Sequence, residues 1–186
     1  MNACGTIAKL VCCACLCVAM LLSSPVPASG SGEGFRERVS GRRVEMSVSW
    51  LARMGGKTYS GDGVLVWKDG LFLFRNDEVR VYNDGKVLVS VTEAGKEVVV
   101  QPSFNADFLE NPSALASLLG LNAAKAGVSI RYARNGDPAG ADIVLKDGTA
   151  VTATVDSMKV TDSSGDGEFS FDFEALDSSW VITDLR

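Results

Sequence analysis

From residue 44 onward, apolar and polar residues alternate with period two, and most runs end in a turn of Asp-Gly or Asn-Gly type. Val44, Met46, Val48 and Trp50 alternate with Glu45, Ser47 and Ser49. This is the pattern of a half-buried strand. Further runs lie at 63–68 (GVLVWK), 71–74 (LFLF), 78–82, 87–91 and 97–101, separated by Asp69-Gly70, Asn83-Asp84-Gly85 and Ala94-Gly95. These separators supply the positive φ that tight hairpins need, so the first half reads as an antiparallel meander. Strands resume at 128–133, 143–146, 151–155, 158–161, 168–173 and 181–183, with turns at Lys146-Asp147-Gly148 and Ser164-Gly165-Asp166-Gly167. One helix interrupts them at 111–119 (NPSALASLL). Asn111 suits its N-cap, Pro112 its first position and Gly120 its stop, and Leu115, Leu118 and Leu119 share one face. The chain is therefore mainly β, with about eleven or twelve strands in a sheet large enough to curl.

Two of these runs, GVLVWK and LFLF, are apolar on both faces. An open antiparallel sheet normally turns one face to water. Two apolar faces mean that both are covered, as in a sandwich core, or that one lines an apolar cavity. The pattern leaves both readings open.

The 186 residues suggest one domain with a short appendage. There is no histidine, which removes Ser-His-Asp and Cys-His catalysis and imidazole metal sites. The five cysteines all fall within the first 17 residues. Lys9, the apolar run 10–22 and the small residues Val26 and Ala28 follow the order of a secretory signal peptide cleaved after Ala28. The apolar run is short for a membrane span. A lipoprotein signal with a retained, acylated cysteine is the alternative, but no cysteine has a good small-residue lead-in. The expected organisation is a leader at 1–28, a flexible or short helical segment at 29–43 and a folded domain at 44–186. A chain so processed lacks both Cys and His, which excludes disulfides, thiolate catalysis and Cys or His zinc sites. Four arginines at 36–43 read as a solvated face, with a docking patch for anionic partners as the alternative. With a formal net charge of −5 and no basic, aromatic-interleaved face, nucleic-acid binding is not expected.

Other candidate motifs fail on their own chemistry. Asp162-x-Ser164-x-Asp166-Gly167 opens like a calcium loop, but the twelfth position, where a bidentate glutamate belongs, is Phe173. It reads as a polar hairpin turn. Gly30-x-Gly32-x-Gly34 follows no strand of the folded domain, and Pro112 bars glycosylation at Asn111. Carboxylates such as Asp77, Glu78, Asp142 and Asp147 lie at turns and strand ends. No catalytic residue, metal or cofactor is assigned.

Four segments, taken in order, resemble the outer-membrane lipoprotein carrier (LolA-like) family, in a Bacteroides-type form. They are Gly61-Asp62-Gly63-Val64-Leu65-Val66-Trp67-Lys68 leading into 71–74; Asp84-Gly85-Lys86-Val87-Leu88 followed by Lys96-Glu97-Val98; Asn111-Pro112-Ser113-Ala114-Leu115 with Leu118-Leu119; and 169–173 followed by Trp180-Val181-Ile182-Thr183-Asp184-Leu185-Arg186. The match spans nearly all of 44–186. Many family members carry Arg-Pro where this chain has Asp69-Gly70, and a tryptophan and a tyrosine where it has Val89 and Val91.

The resemblance implies an incomplete, half-open antiparallel β-barrel of about eleven strands, with a short helical lid over its concave apolar face. It implies a monomeric periplasmic carrier that binds acyl chains of lipoproteins or other lipid cargo and moves them toward the outer membrane. Its donor would be the inner-membrane lipoprotein-releasing transporter and its partner at the far side an outer-membrane acceptor. The cavity residues expected are Trp50, Leu65, Trp67, Phe72, Phe74, Val79, Val81 and Leu88 on the sheet, with Leu115, Leu118 and Leu119 on the lid. Whether Leu65 and Trp67 or Val64 and Val66 face the cavity is open, because a one-residue change of register swaps faces. Two other classes stand beside the carrier: an envelope sensor or scaffold with the same sheet, and an enzyme acting through carboxylates alone.

Overall fold

The computed structural model describes residues 32–103, 127–144, 148–162 and 165–186. Among them, ten strands form one open sheet, and helix is confined to α1 (Gly32–Val39) and a 3₁₀ turn (Gly167–Phe169). The strands are β1 (Arg43–Met54), β2 (Lys57–Lys68), β3 (Leu71–Arg75), β4 (Val79–Asn83), β5 (Val87–Thr92), β6 (Glu97–Pro102), β7 (Gly127–Tyr132), β8 (Pro138–Val144), β9 (Ala150–Thr161) and β10 (Val181–Asp184). Their order across the sheet is β10-β6-β5-β4-β3-β2-β1-β9-β8-β7. All pairings are antiparallel except β10 on β6. The edge strands β7 and β10 are not joined, so the sheet does not close into a barrel.

The turns follow from the residues that make them. Asp69 and Gly70 both adopt positive φ (46° and 90°), as a two-residue hairpin turn requires. The β3–β4 turn has no glycine; there the Asn76 side-chain oxygen accepts the backbone N–H groups of Glu78 and Val79 at 2.9 and 2.8 Å.

Three expectations are corrected. The runs 151–155 and 158–161 are one strand, β9, in which Asp156 is the extra residue of a bulge: Ser47 pairs with Ser157 and Val48 with Val155. The polar pair at 156–157 interrupts the apolar pattern without interrupting the ladder. Residues 168–173 are not a strand, so they do not pair with 181–183. After the 3₁₀ turn the backbone crosses over the sheet as a strap, and β10 then joins β6 in parallel. Asp162 and Asp166 do not form a hairpin turn either; they pair separately, with Arg42 at 2.9 Å and Lys68 at 2.6 Å. The helix expected at 111–119, with Leu115, Leu118 and Leu119, and the leader expected at 1–28 lie outside the described residues.

The sheet is apolar on both faces over β2–β6. On one face, Phe169 of the strap packs with Val66 and Leu73, while Phe171, Leu176 and Trp180 pack on Val89, Val91, Val98 and Val100. The strap is tied at its start by Glu168, which accepts from Arg43 at 2.7 and 3.2 Å, and at its end by the Val181 backbone N–H, which donates to the Lys96 carbonyl at 2.8 Å. The other face carries Val44, Met46, Val48 and Trp50 of β1 and their ladder partners. Phe35 and Val39 of α1 are buried and belong to neither cluster beneath the strap. Arg38 is held by Asp137, Arg42 by Asp162, and Arg43 by Glu45 and Glu168.

Candidate functional site

Register decides which side chains share the face opposite the strap. One row runs Val44, Trp67, Phe72, Asn83, Leu88 across β1–β5, and the next runs Met46, Leu65, Phe74, Val81, Ser90. Trp50 and Val79 lie on the same face, because alternate residues of a strand point the same way. Trp50, Leu65, Trp67, Phe72, Phe74, Val79, Val81 and Leu88 are thus brought together on one side, and all eight are buried. Val64 and Val66 take the opposite side, where both pack in the Phe169 cluster. Leu115, Leu118 and Leu119 lie outside the described residues.

Two glycines, not named among the cavity residues, shape this face. A Cβ at Gly61 would meet the Trp50 ring at 2.6 Å, and one at Gly63 would meet the Phe74 ring at 2.5 Å and the Arg75 carbonyl oxygen at 2.8 Å. Each aromatic ring therefore lies directly on bare backbone. The signal for this is in the sequence: glycine inside a strand pattern marks a close approach.

The polar groups of the face fall into two kinds. Asn83 is buried and satisfied: its amide donates to the Gly70 carbonyl at 3.3 Å, and its oxygen accepts from Ser103 Oγ at 2.8 Å and from the Gly85 N–H at 3.3 Å. The indole Nε1 atoms of Trp50 and Trp67 are buried and have no acceptor. An unpaired buried donor costs about 1–3 kcal/mol. Trp67 is paired with Val44, six residues from Trp50 along β1, so the two indoles are separated by about 20 Å along the strand direction.

Beside Trp50 the sheet has a step. β2 pairs with β1 along its length, but with β3 only from Val64 to Lys68. A groove of about 790 Å³ occupies the step, between residues 59–64 of β2 and residues 75–80 around the β3–β4 turn, with Trp50 and Val48 on its wall. Asp62, Asp77, Glu78 and Asp156 line it, with Arg75 and Arg80. Arg80 is already paired with Glu93 at 3.1 Å. No group of three or more potential metal-binding side chains occurs among the described residues.

No protein-family model and no curated protein matches the sequence. Solved structures similar to the chain include the following two. An uncharacterized conserved protein from Thermus thermophilus shares 6% identity, with 80% of this chain and 93% of that one covered, at a TM-score of 0.46. A DUF1329 family protein from Desulfovibrio piger shares 11% identity over 92% of this chain and 98% of that one, at a TM-score of 0.36. Likeness at this level assigns no activity.

Proposed function

We propose that this protein is an exported, periplasmic carrier that takes acyl chains of lipoproteins, or related lipids, onto the face opposite the strap and moves them toward the outer membrane. One observation carries the reading. The chain fills one face of its sheet with its own aromatic strap, while eight large apolar side chains are gathered on the other. An acyl chain leaving a membrane loses about 0.8 kcal/mol per CH₂ in water, so a carrier needs a continuous apolar surface to replace the bilayer. An open sheet suits that task, because its edges can separate without breaking a ladder. The carrier makes and breaks no bonds and works as a monomer. It receives its cargo from an inner-membrane lipoprotein-releasing transporter and passes it to an outer-membrane acceptor. Its leader is cleaved after Ala28.

Native mass spectrometry of the protein recovered from a bacterial periplasm, followed by lipid extraction, tests this. A stoichiometric acyl-chain or lipopeptide adduct is expected. A bare mass that persists after incubation with acylated peptide would instead make the protein an envelope sensor or scaffold. Phe72→Asp separates a cavity from a core: the variant is expected to stay folded and lose lipid, whereas unfolding would make Phe72 a core residue.

A further inference from the structure

The step that makes the groove also leaves part of a strand without a neighbour. β2 pairs with β1 from Lys57 to Trp67, but β3 reaches only as far as Val64. β3 stops there because the Asn76 side chain accepts the N–H groups of Glu78 and Val79 and turns the chain back. Two-residue loops close both hairpins of β2, Gly55-Gly56 at one end and Asp69-Gly70 at the other. The pair that closes such a loop exchanges hydrogen bonds, and bonded and non-bonded pairs then alternate along an antiparallel ladder. Starting from Met54–Lys57, the odd residues of β2 bond to β1; starting from Lys68–Leu71, the even residues bond to β3. The two assignments agree. Thr58, Ser60 and Asp62 therefore turn their N–H and C=O groups toward the line that β3 has left, and no described residue bonds them there.

This inner edge is backed and bare. β1 holds it from behind, and β9 holds β1 as far as Arg53. A strand so backed is ordered before a partner arrives, which lowers the cost of binding. Natural edges are usually blunted by lysine, proline or a bulge. Residues 58–63 (TYSGDG) contain none of these. The charge around the edge is mostly negative. Asp62 lies on the strap side, as does Asp156, which accepts from Ser49 Oγ at 3.1 Å, and Asp77 and Glu78 stand at the β3–β4 turn. Arg75 and Arg80 oppose them, and Arg80 is held by Glu93.

We propose that this inner edge of β2 takes up an extended basic peptide of a partner protein as an added strand, antiparallel to β2 and in line with β3. The proposal does not depend on the carrier reading, because the peptide uses the strand edge and not the apolar face. Peptide residues opposite Thr58, Ser60 and Asp62 exchange backbone hydrogen bonds with them and turn their side chains to the strap side, toward Asp62 and Asp156. Lysine or arginine belongs at those positions. A second copy of this chain fits less well, because it would bring the same carboxylates to the edge.

The probe is a peptide of alternating lysine and threonine, about seven residues long to match the span of Lys57–Gly63. Its affinity is compared with that of a glutamate–threonine peptide near neutral pH. The lysine peptide is expected to bind about tenfold more tightly, by a margin that shrinks as salt is added. Two backbone-methylated forms then test the strand. N-methylation of every lysine removes the donors that face β2 and is expected to abolish binding. N-methylation of every threonine spares those donors and is expected to keep affinity within about threefold. Ser60→Pro, at an edge position where proline breaks no ladder bond, is expected to lose the peptide as well. Equal binding by the two methylated forms, no preference for lysine over glutamate, retained binding by Ser60→Pro, or no binding by any peptide overturns the proposal. A dimer that forms without peptide and that Ser60→Pro returns to monomer overturns it too, and gives the edge to a second copy. The methylated peptides decide the matter on the unmodified protein even if Ser60→Pro does not fold. Lipid uptake is a separate readout, so each of these outcomes leaves the carrier reading where it stands.

Discussion

Gly63 is where a single hydrogen atom in place of a methyl group matters most. Its missing side chain makes room for the Phe74 ring on one side, and the Arg75 carbonyl blocks any retreat. Gly63→Ala is expected to cost about 1–3 kcal/mol in urea unfolding, as overpacking does. Gly167→Ala meets nothing within 4 Å and is expected to stay within about 0.5 kcal/mol of the parent. The glycine signal is visible in the sequence, but its reason is not: Phe74 and Trp50 are identified as the rings only once the ladder partners are known. Near the C-terminus, hydrogen bonds from Arg186 hold the Asp184 carboxyl down to about 2, from an ordinary 3.8. The sign follows from linkage: a depressed carboxyl stabilises the fold above its unfolded value, and that contribution is lost as pH falls through about 2. Carboxyl NMR is expected to give an Asp184 midpoint near that value, and Arg186→Ala to return it toward the ordinary one.

At the scale of elements, the strap is where sequence and structure part. Phe169, Phe171 and Phe173 alternate with polar residues, and this pattern predicts a strand. Alternation reports that an extended segment turns one side to an apolar surface; it does not report whether the backbone lies beside a strand or across several. Here Phe169 reaches β2 and β3, Phe171 contacts Tyr82 of β4 at 5.4 Å between ring centroids, and Trp180 reaches the β5–β6 valines. The segment crosses the strands and has no ladder. The β9 bulge misleads in the opposite direction, dividing one strand into two. Turns read well because Asp-Gly carries its own backbone preference. Phe169 is fully buried, so Phe169→Ala is expected to cost about 3–5 kcal/mol by denaturant unfolding. Glu168→Gln weakens the paired contacts with Arg43, whose guanidinium pKa is raised chiefly by its hydrogen bond to Glu168. Because both groups are partly exposed, about 1 kcal/mol is expected.

For the whole molecule, two-sided apolarity in GVLVWK and LFLF is legible in the sequence, and so is the mainly β, open architecture. The assignment of faces is not, because either register suits an apolar run on its own. Register against β1 and the position of the strap divide the sheet into a side with Val64 and Val66 and a side with Leu65 and Trp67. The stepped groove is also invisible in the sequence, since it arises where β3 is shorter than β2. The two sides also imply different responses to mutation. Damage beneath the strap is expected to appear as lost stability, whereas changes at Trp50 or Phe72 are expected to alter lipid binding first.

The cover of one face comes from residues that follow the strands beneath it in the chain, and this gives folding a direction. A polypeptide is made from its N-terminus, and its early segments can begin folding before the last residues exist. Strands β1–β6 can pair while Val89, Val91, Val98 and Val100 are still exposed and the outer edge of β6 has no neighbour. Among the described residues, 165–186 supply both the aromatic cover and β10. A prematurely ended chain would thus present an apolar patch beside an open strand edge, the combination that invites aggregation and proteolysis. In this protein the order of synthesis is written into the fold: a surface laid down by β2–β6 is hidden by residues made later.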